Sequence, residues 1–213
     1  MGLSEKLMAQ GGKPSGLPGK VIGYLMNRSH RGVYPWGLNG LPLHDLAAAL
    51  DIGCGGGEAV NYLAARMPEG SVSGIDHSPE MVMLARRVNR PYIEARRVTI
   101  DHGAVSSLPY GGNTFDLATA FETIQFWPNL DGDLREIRRV LKPDGTLLIV
   151  NRFPDLQGKD ADWADRLQIR SAAEYRERLH TAGFIGISID DRSKSGWIRA
   201  SAKKPAGAET ASG

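Results

Sequence analysis

Four glycines within five residues constrain the fold of this chain more than any other feature of its sequence. They lie at positions 53, 55, 56 and 57, directly after the apolar segment Ala48–Ile52, which is typical of a buried strand. From Glu58 onward apolar residues recur at helical spacing, which predicts an amphipathic helix packed on a sheet. Glycine is favoured where a chain turns sharply and brings its backbone against a ligand, because it lacks a Cβ and tolerates positive φ. The segment therefore predicts a strand–loop–helix unit whose loop N–H groups open onto the positive end of the helix.

A second carboxylate, Asp76, follows the apolar segment Val72–Ile75 and lies 25 residues after Asp51. An acidic residue in this place accepts hydrogen bonds from ribose hydroxyls in doubly wound nucleotide-binding folds. The dinucleotide fingerprint G-x-G-x-x-G, counted from Gly53, needs a glycine at position 58, which is Glu58. The G-K-[ST] ending of a phosphate loop is also absent. The pattern thus disfavours pyrophosphate ligands and favours an adenosyl cofactor.

Four blocks of sequence follow one another along the chain: Leu50–Gly57, Gly74–Met81, Gly103–Tyr110 and Arg139–Leu147. In order and spacing they resemble the class I S-adenosylmethionine (SAM)-dependent methyltransferases, in particular the small-molecule branch related to the ubiquinone and menaquinone methyltransferases. The resemblance runs from about Ala48 to Lys203. It implies that the first block contacts the methionine part of SAM and that the second supplies the ribose-binding acid. The third block would then surround the adenine, and the fourth would turn into the fifth strand.

By this resemblance SAM is the cofactor, and the residues expected to bind it are Asp51, Gly53, Gly55, Gly57, Asp76, His77, Met81, Ala104, Val105 and Phe121. One position departs from the family pattern, because the carboxylate that usually stands four residues before the Leu-Pro pair is here Ala104. Asp101 and His102 lie just upstream in a different register, so the role is not transferred to either. Backbone groups around Ala104 and Val105 are expected to hold the adenine instead.

The alternation of strand and helix patterns predicts an α/β fold. The resemblance implies a doubly wound, mostly parallel seven-stranded sheet that ends in an antiparallel hairpin near residues 185–190 and 197–202. Residues 1–19 are predicted to be a flexible lead, residues 20–45 a helical lid over the pocket, residues 46–204 the SAM-binding domain, and residues 205–213 a disordered tail.

Composition agrees with a single globular domain, since 41% of the residues are hydrophobic and 23% are charged. No apolar stretch approaches the roughly 18 residues of a membrane span, and no secretory signal core is present at the N-terminus, so a cytoplasmic location is expected. The chain has one cysteine, Cys54, which cannot form an internal disulfide and is interpreted as structural. No metal is expected, because His44, His102 and His180 show no ligand spacing to one another.

Candidate acceptor contacts lie outside the cofactor blocks. His30 is the candidate catalytic base, because an imidazole can take up a proton near neutral pH, although packing within the lid is the plainer interpretation. The candidate substrate-binding residues are Tyr24, Tyr34 and Trp36 in the lid and Glu122, Phe126 and Trp127 after the fourth strand. The aromatic members of this set are equally compatible with the core. A small-molecule acceptor is favoured, and the attacked atom stays open among O, N, S and C.

Two other functions remain open at this stage: a SAM-binding protein that transfers no methyl group, and a methyltransferase acting on RNA or protein. The net charge is only +2, and the arginine pairs at 86–87, 96–97 and 138–139 are dispersed, which disfavours a nucleic-acid partner. A dinucleotide-dependent oxidoreductase is disfavoured by Glu58. The oligomeric state is left open.

Overall fold

A seven-stranded sheet organises the part of the chain that the computed structural model describes, which comprises residues 32–152, 171–192 and 196–207. The strands are β1 (Ala48–Ile52), β2 (Ser71–Asp76), β3 (Val98–His102), β4 (Phe115–Phe121), β5 (Leu141–Arg152), β6 (Ile185–Arg192) and β7 (Trp197–Lys203). Their order across the sheet is β3-β2-β1-β4-β5-β7-β6. Strands β1 to β5 pair in parallel, whereas β7 is antiparallel to both β5 and β6. The predicted sheet and its C-terminal hairpin are therefore confirmed.

Helices cover both faces of this sheet. They are α1 (Val33–Gly37), α2 (Glu58–Arg66), α3 (Pro79–Val88), α4 (Arg90–Glu94), α5 (Leu130–Val140) and α6 (Ala172–Thr181), with 3-10 turns at Leu43–Asp45 and Ile124–Phe126. Side chains fix where two of the helices begin: the Ser78 hydroxyl accepts from the Met81 N–H, and the Ser171 hydroxyl accepts from the Glu174 N–H. Within the described ranges no helix is long and apolar enough to cross a membrane.

The two faces of the sheet carry separate apolar cores. One core joins the sheet to α5 and α6 through residues such as Leu50, Leu134 and Leu179. The other joins it to α1, α2 and α3 through residues such as Val60 and Leu148. Strand β1 lies between β2 and β4, so the chain order reverses beside it. Ligands of open α/β sheets bind outside the carboxyl ends of the strands at such a switch point, which places the candidate site beyond β1 and β4.

Helix α1 packs on the carboxyl half of β4 and β5. The Tyr34 ring meets Phe121 edge to face with ring centroids 5.0 Å apart, and it also contacts Tyr62 of α2. Gly37 allows the close approach, since a Cβ there would lie 2.8 Å from the Val150 side chain. Residues 20–31 of the segment predicted to be a lid, including Tyr24 and His30, lie outside the described residues.

Candidate functional site

The glycine loop between β1 and α2 adopts left-handed backbone conformations that suit glycine, with φ of +67° at Gly53, +50° at Gly55 and +84° at Gly57. The N–H of Gly53 donates to the Ile75 carbonyl at 2.8 Å, that of Gly55 to the Asp76 carboxylate at 2.8 Å, and that of Gly57 to the carbonyl of Cys54 at 2.9 Å. The sequence predicted that these N–H groups open onto the positive end of the helix, whereas in the structure all three donate to acceptors within the protein. Because they are engaged within the protein, they cannot cradle a pyrophosphate, and the glycines serve by clearance.

The missing Cβ atoms of these glycines have two consequences for the loop. A Cβ on Gly53 would lie 2.1 Å from the Thr123 hydroxyl, and one on Gly57 would lie 2.8 Å from the backbone of Ala85 in α3. At these two positions glycine lets the loop pack on its neighbours, and the Asn89 amide holds the Gly57 carbonyl at 2.9 Å. At Gly55, by contrast, a Cβ would meet nothing within 4 Å. Open space next to the loop therefore begins at Gly55.

Asp76 is fixed at the end of β2 by two backbone donors. One carboxylate oxygen accepts from the Gly55 N–H at 2.8 Å, and the other accepts from the Ser78 N–H at 2.9 Å. The residue is only 7% exposed. Each carboxylate oxygen can accept two hydrogen bonds, so each keeps capacity for a further donor such as a ribose hydroxyl. Asp76 therefore ties the glycine loop to the β2–α3 turn and presents acceptors with a fixed orientation.

Asp51 lies on β1 and is buried next to Thr119 of β4. Its carboxylate accepts a 2.6 Å hydrogen bond from the Thr119 hydroxyl. Burial raises the pKa of Asp51 to about 7; the bond from Thr119 opposes the shift, and the nearby charge of Asp76 adds to it. Within residues 32–152, 171–192 and 196–207 no cationic side chain pairs with Asp51, and a buried carboxylate in this state favours the approach of a positive group.

A cavity lies next to these residues at the carboxyl ends of β1 and β2. It is a small, partly open cleft with a volume of about 60 Å³. Asp76 and His77 line one side, Ala104 and Val105 a second, and Trp127 a third. Gly53 and Phe126 also reach it, so seven of the residues predicted from the sequence surround one space. A pocket between an acid and a flat aromatic ring suits a nucleoside.

The structure explains why neither neighbour of Ala104 replaces the missing carboxylate. Asp101 accepts a 2.9 Å hydrogen bond from the Tyr110 hydroxyl and does not line the cavity. The His102 ring nitrogen lies 3.1 Å from the carbonyl of His77. Both side chains are thus engaged elsewhere, and the cavity wall at Ala104 offers backbone groups.

The remaining predicted residues lie in different surroundings. Tyr34 is buried on the α1 side of the sheet and Trp36 is half-buried there, together with Phe121. Met81 is buried in the first turn of α3. Trp127 is 4% exposed and belongs to the core on the α5 side, whereas Phe126 is 37% exposed.

Glu122 follows β4 in a left-handed conformation, with φ of +55°. Its carboxylate accepts from the Arg152 N–H, and its other oxygen lies 3.7 Å from the Arg152 guanidinium. Burial raises the pKa of Glu122 to about 7, although both contacts with Arg152 oppose the shift.

Cys54 is buried beside the sheet, and burial raises the pKa of its thiol well above the ordinary range; the charges of Asp76 and Asp51 raise it further. The thiol is therefore protonated near neutral pH, which favours a packing role. Across residues 32–152, 171–192 and 196–207, no group of three or more His, Cys, Asp or Glu side chains is arranged to hold a metal ion.

Sequence reasoning missed three residues that shape the site. The Thr123 side chain packs next to Gly53, the Asn89 amide donates to the Gly57 carbonyl, and the Ser78 N–H donates to the Asp76 carboxylate. Ser78 had a local signal, because it precedes Pro79 as a helix cap. Thr123 and Asn89 act across distances of 70 and 32 positions along the chain, where local patterns carry no signal.

This chain is similar to known methyltransferases. The family described as "Methyltransferase domain" matches residues 50–149. A demethylmenaquinone methyltransferase of Lactobacillus johnsonii is 36% identical over 103 residues, covering 48% of this chain and 42% of that protein. The 27-O-demethylrifamycin SV methyltransferase of Amycolatopsis mediterranei is 30% identical over 174 residues, covering 75% and 63%. The chain spans about half the length of several curated relatives that it matches.

Among solved structures, the [4+2]-cyclase SpnF superposes with a TM-score of 0.72 at 25% identity, covering 83% of this chain and 81% of that one. A geranyl diphosphate methyltransferase in complex with sinefungin superposes with a TM-score of 0.69 at 16% identity, covering 83% and 79%, and shows the shared fold. The sheet order, the glycine loop with its paired acids, and these matches together show that the chain contains a methyltransferase domain of the class I SAM-dependent type.

Proposed function

We propose that this protein transfers the methyl group of SAM to a small, partly apolar acceptor molecule. The observation that carries the proposal is the Asp76 carboxylate, held by two backbone N–H groups beside a cavity that opens at the glycine loop. An acid fixed in this way is prepared to bind a ribose diol without further rearrangement. The N–H groups of Gly53, Gly55 and Gly57 already donate within the protein, which disfavours a pyrophosphate bound through them.

The residues present fit SAM. Asp76 would hold the ribose, backbone groups at Ala104 and Val105 would hold the adenine, and buried Asp51 would favour the positive methionine end. When bound, SAM supplies a methyl group that its sulfonium has already activated. The chain then has to position the acceptor in line and to exclude water. Gly55 leaves space beside Asp76 in which the cofactor can approach the backbone.

A small-molecule acceptor is supported by the surface and by the relatives. The rim of the cavity carries Phe126 and Trp127, which would contact an apolar compound. The net charge of +2 gives little attraction for nucleic acid. Two relatives are named for the methylation of small molecules, demethylmenaquinone and 27-O-demethylrifamycin SV. His30 as a base and Tyr24 as an acceptor contact stay predictions, as do the cytoplasmic location and the domain boundaries.

The test uses SAM labelled on its transferable methyl group. The protein is incubated with this SAM and a cell extract separated into metabolite, RNA and protein fractions. We expect label in the metabolite fraction, and we expect the Asp76→Ala variant to lose it. The matched control is Asp131→Ala, which removes a carboxylate that pairs with Arg178 on the surface and should leave transfer unchanged. Label in RNA or protein would overturn the small-molecule acceptor.

A second candidate is a SAM-binding protein that transfers no methyl group. It is favoured by the likeness to SpnF, a protein of this fold named as a [4+2]-cyclase. Fold does not fix function, so this likeness has to be tested directly. Tight SAM binding without label in any fraction would support this second candidate.

A further inference from the structure

A second group of polar side chains gathers at the carboxyl ends of β4 and β5, apart from the cavity beside Asp76. Glu122 directly follows β4, Asn151 lies at the end of β5, and Tyr175 reaches them from the first turn of α6. The Arg152 N–H, next to Asn151, donates to the Glu122 carboxylate. The side chain of Asn151 hydrogen-bonds to Tyr175, whose pKa also responds to the charge of Glu122. These contacts place the three groups in one neighbourhood.

The backbone holds Glu122 in an unusual conformation at this point. Its φ of +55° is costly for a residue with a Cβ, and such conformations persist where surrounding bonds enforce them. Here the Glu122 N–H donates to the Val150 carbonyl at 2.8 Å, and the Glu122 carbonyl accepts from the Gln125 amide at 2.8 Å. The turn after β4 is thus fixed on both sides of Glu122.

Two hydrogen-bond acceptors in this neighbourhood lack a donor from the protein. The side-chain carbonyl oxygens of Asn151 and Gln125 are both buried and have no hydrogen-bond partner. Asn151 as a whole is only 6% exposed. Buried polar groups are nearly always hydrogen-bonded, because leaving one unmade is costly. Two unpaired acceptors beside a carboxylate are typical of a place that receives a donor from a ligand.

The charge balance leaves Glu122 able to take up a proton near neutral pH. Within residues 32–152, 171–192 and 196–207, Arg152 and Tyr175 are charged or titratable groups that act on Glu122. The Arg152 side chain is more than half exposed, and its guanidinium lies 5.4 Å from the Trp197 ring centroid, so it neutralises Glu122 only weakly. The effect of burial on the pKa of Glu122 exceeds the opposing effect of Arg152 and raises that pKa to about 7. A general base works best with a pKa near the operating pH.

We propose that Glu122 and Asn151 bind the O–H or N–H group of the acceptor molecule and that Glu122 takes up its proton as the methyl group arrives. The proposal rests on the methyl transfer proposed above. The acceptor heteroatom loses its bond to hydrogen and gains a bond to the methyl carbon. The bond between that carbon and sulfur breaks, and its electron pair stays on sulfur. Glu122 then releases the proton to water. This assigns the acceptor to the alcohols, phenols and amines and excludes carbon and thiolate nucleophiles.

A competing role for Glu122 is direct attraction of the positive sulfonium. The two roles differ in what the Glu122→Gln variant does to cofactor binding. A sulfonium contact would lower the affinity for SAM but not for S-adenosylhomocysteine, which lacks the charge. A base for the acceptor would leave the ratio of these two affinities within about twofold of the native ratio. Calorimetry with both compounds measures this ratio without any acceptor.

The decisive experiment incubates the native protein with SAM carrying a 13C-methyl group and with the metabolite fraction of a cell extract. The carbon chemical shift of the labelled product shows whether the methyl group is bonded to oxygen, nitrogen, carbon or sulfur. We expect oxygen or nitrogen. Glu122→Gln should lower the rate about 100-fold to 10,000-fold, the usual contribution of a general base. The native rate should fall as the pH drops below about 7, and the variant should lack this fall.

Glu94→Gln is the matched control, because Glu94 pairs with Arg90 on the exposed surface of α4 and lies outside both sites. A methyl group on carbon or sulfur would overturn the inference while the proposed function stands. A lowered preference for SAM over S-adenosylhomocysteine in Glu122→Gln would assign Glu122 to the sulfonium and would also overturn it. SAM binding without any methylated product would remove the proposed function and this inference together.

Discussion

Replacing Gly53 with alanine should destabilise the protein through a contact that only the folded loop contains. The added Cβ would lie 2.1 Å from the Thr123 hydroxyl and 2.8 Å from the Thr123 Cβ. Overpacking of this kind typically costs about 1–3 kcal/mol. The φ of +67° adds about 1–2 kcal/mol for a residue with a Cβ. We therefore expect Gly53→Ala to lose about 2–5 kcal/mol of unfolding free energy.

The same loop offers a control that separates strain from contact. Gly55 also has a positive φ, +50°, but a Cβ there would meet nothing within 4 Å. Gly55→Ala should therefore lose only the backbone part, about 1–2 kcal/mol. Shortening the opposing side chain in a Gly53→Ala/Thr123→Ala double variant removes the 2.1 Å contact. We expect a favourable coupling free energy of about 0.5–3 kcal/mol between the two changes.

Urea unfolding followed by circular dichroism measures Gly53→Ala, Gly55→Ala, Thr123→Ala and the double variant, and calorimetry with SAM reports whether the loop still binds the cofactor. Equal losses for Gly53→Ala and Gly55→Ala would refute the contact argument. So would strict additivity of the Gly53 and Thr123 substitutions, because the two residues would then not touch.

Three further predictions concern the two acids and the cysteine. Asp76→Ala should weaken SAM binding by about 1–3 kcal/mol, since it removes a charged acceptor, and calorimetry would show an unchanged affinity if Asp76 were outside the site. Because the pKa of Asp51 is raised from 3.8 to about 7, the Asp51 carboxyl binds a proton between these two pH values in the folded state without ligand. In the unfolded state the same carboxyl has released that proton. Its contribution to the unfolding free energy should thus fall by up to about 1.4 kcal/mol per unit as the pH rises from about 4 to about 7. Asp51→Asn should flatten that slope, and an unaltered slope would contradict the assignment. Buried Cys54 should react with a thiol reagent only as fast as the protein unfolds, and rapid labelling of the native protein would contradict its burial.

The sequence predicted the parts of the fold that depend on local patterns. The apolar segment before Gly53, the helical spacing after Glu58 and the position of Asp76 are short-range features, and the sheet places them as expected. The family resemblance supplied the seven-stranded, mostly parallel sheet and its C-terminal hairpin, whereas the order of the strands came from the structure.

The details that depend on distant partners were not predictable. Whether a loop N–H is free depends on the neighbouring strand, and Gly53 donates to Ile75 across the β1–β2 pair. The Asp101–Tyr110 bond, which keeps Asp101 out of the cavity, depends on how the chain folds back after β3. The neighbourhood of Glu122 likewise includes Tyr175, more than fifty positions away, and only the folded chain brings it there.

We propose that the pocket beside Asp76 holds SAM for transfer of its methyl group to a small molecule. The most direct measurement follows labelled methyl from SAM into the metabolite fraction, with native protein and with Asp76→Ala in parallel. We expect a labelled small molecule with the native protein and its loss in the variant. Equal labelling by both proteins, or label confined to RNA or protein, would contradict it.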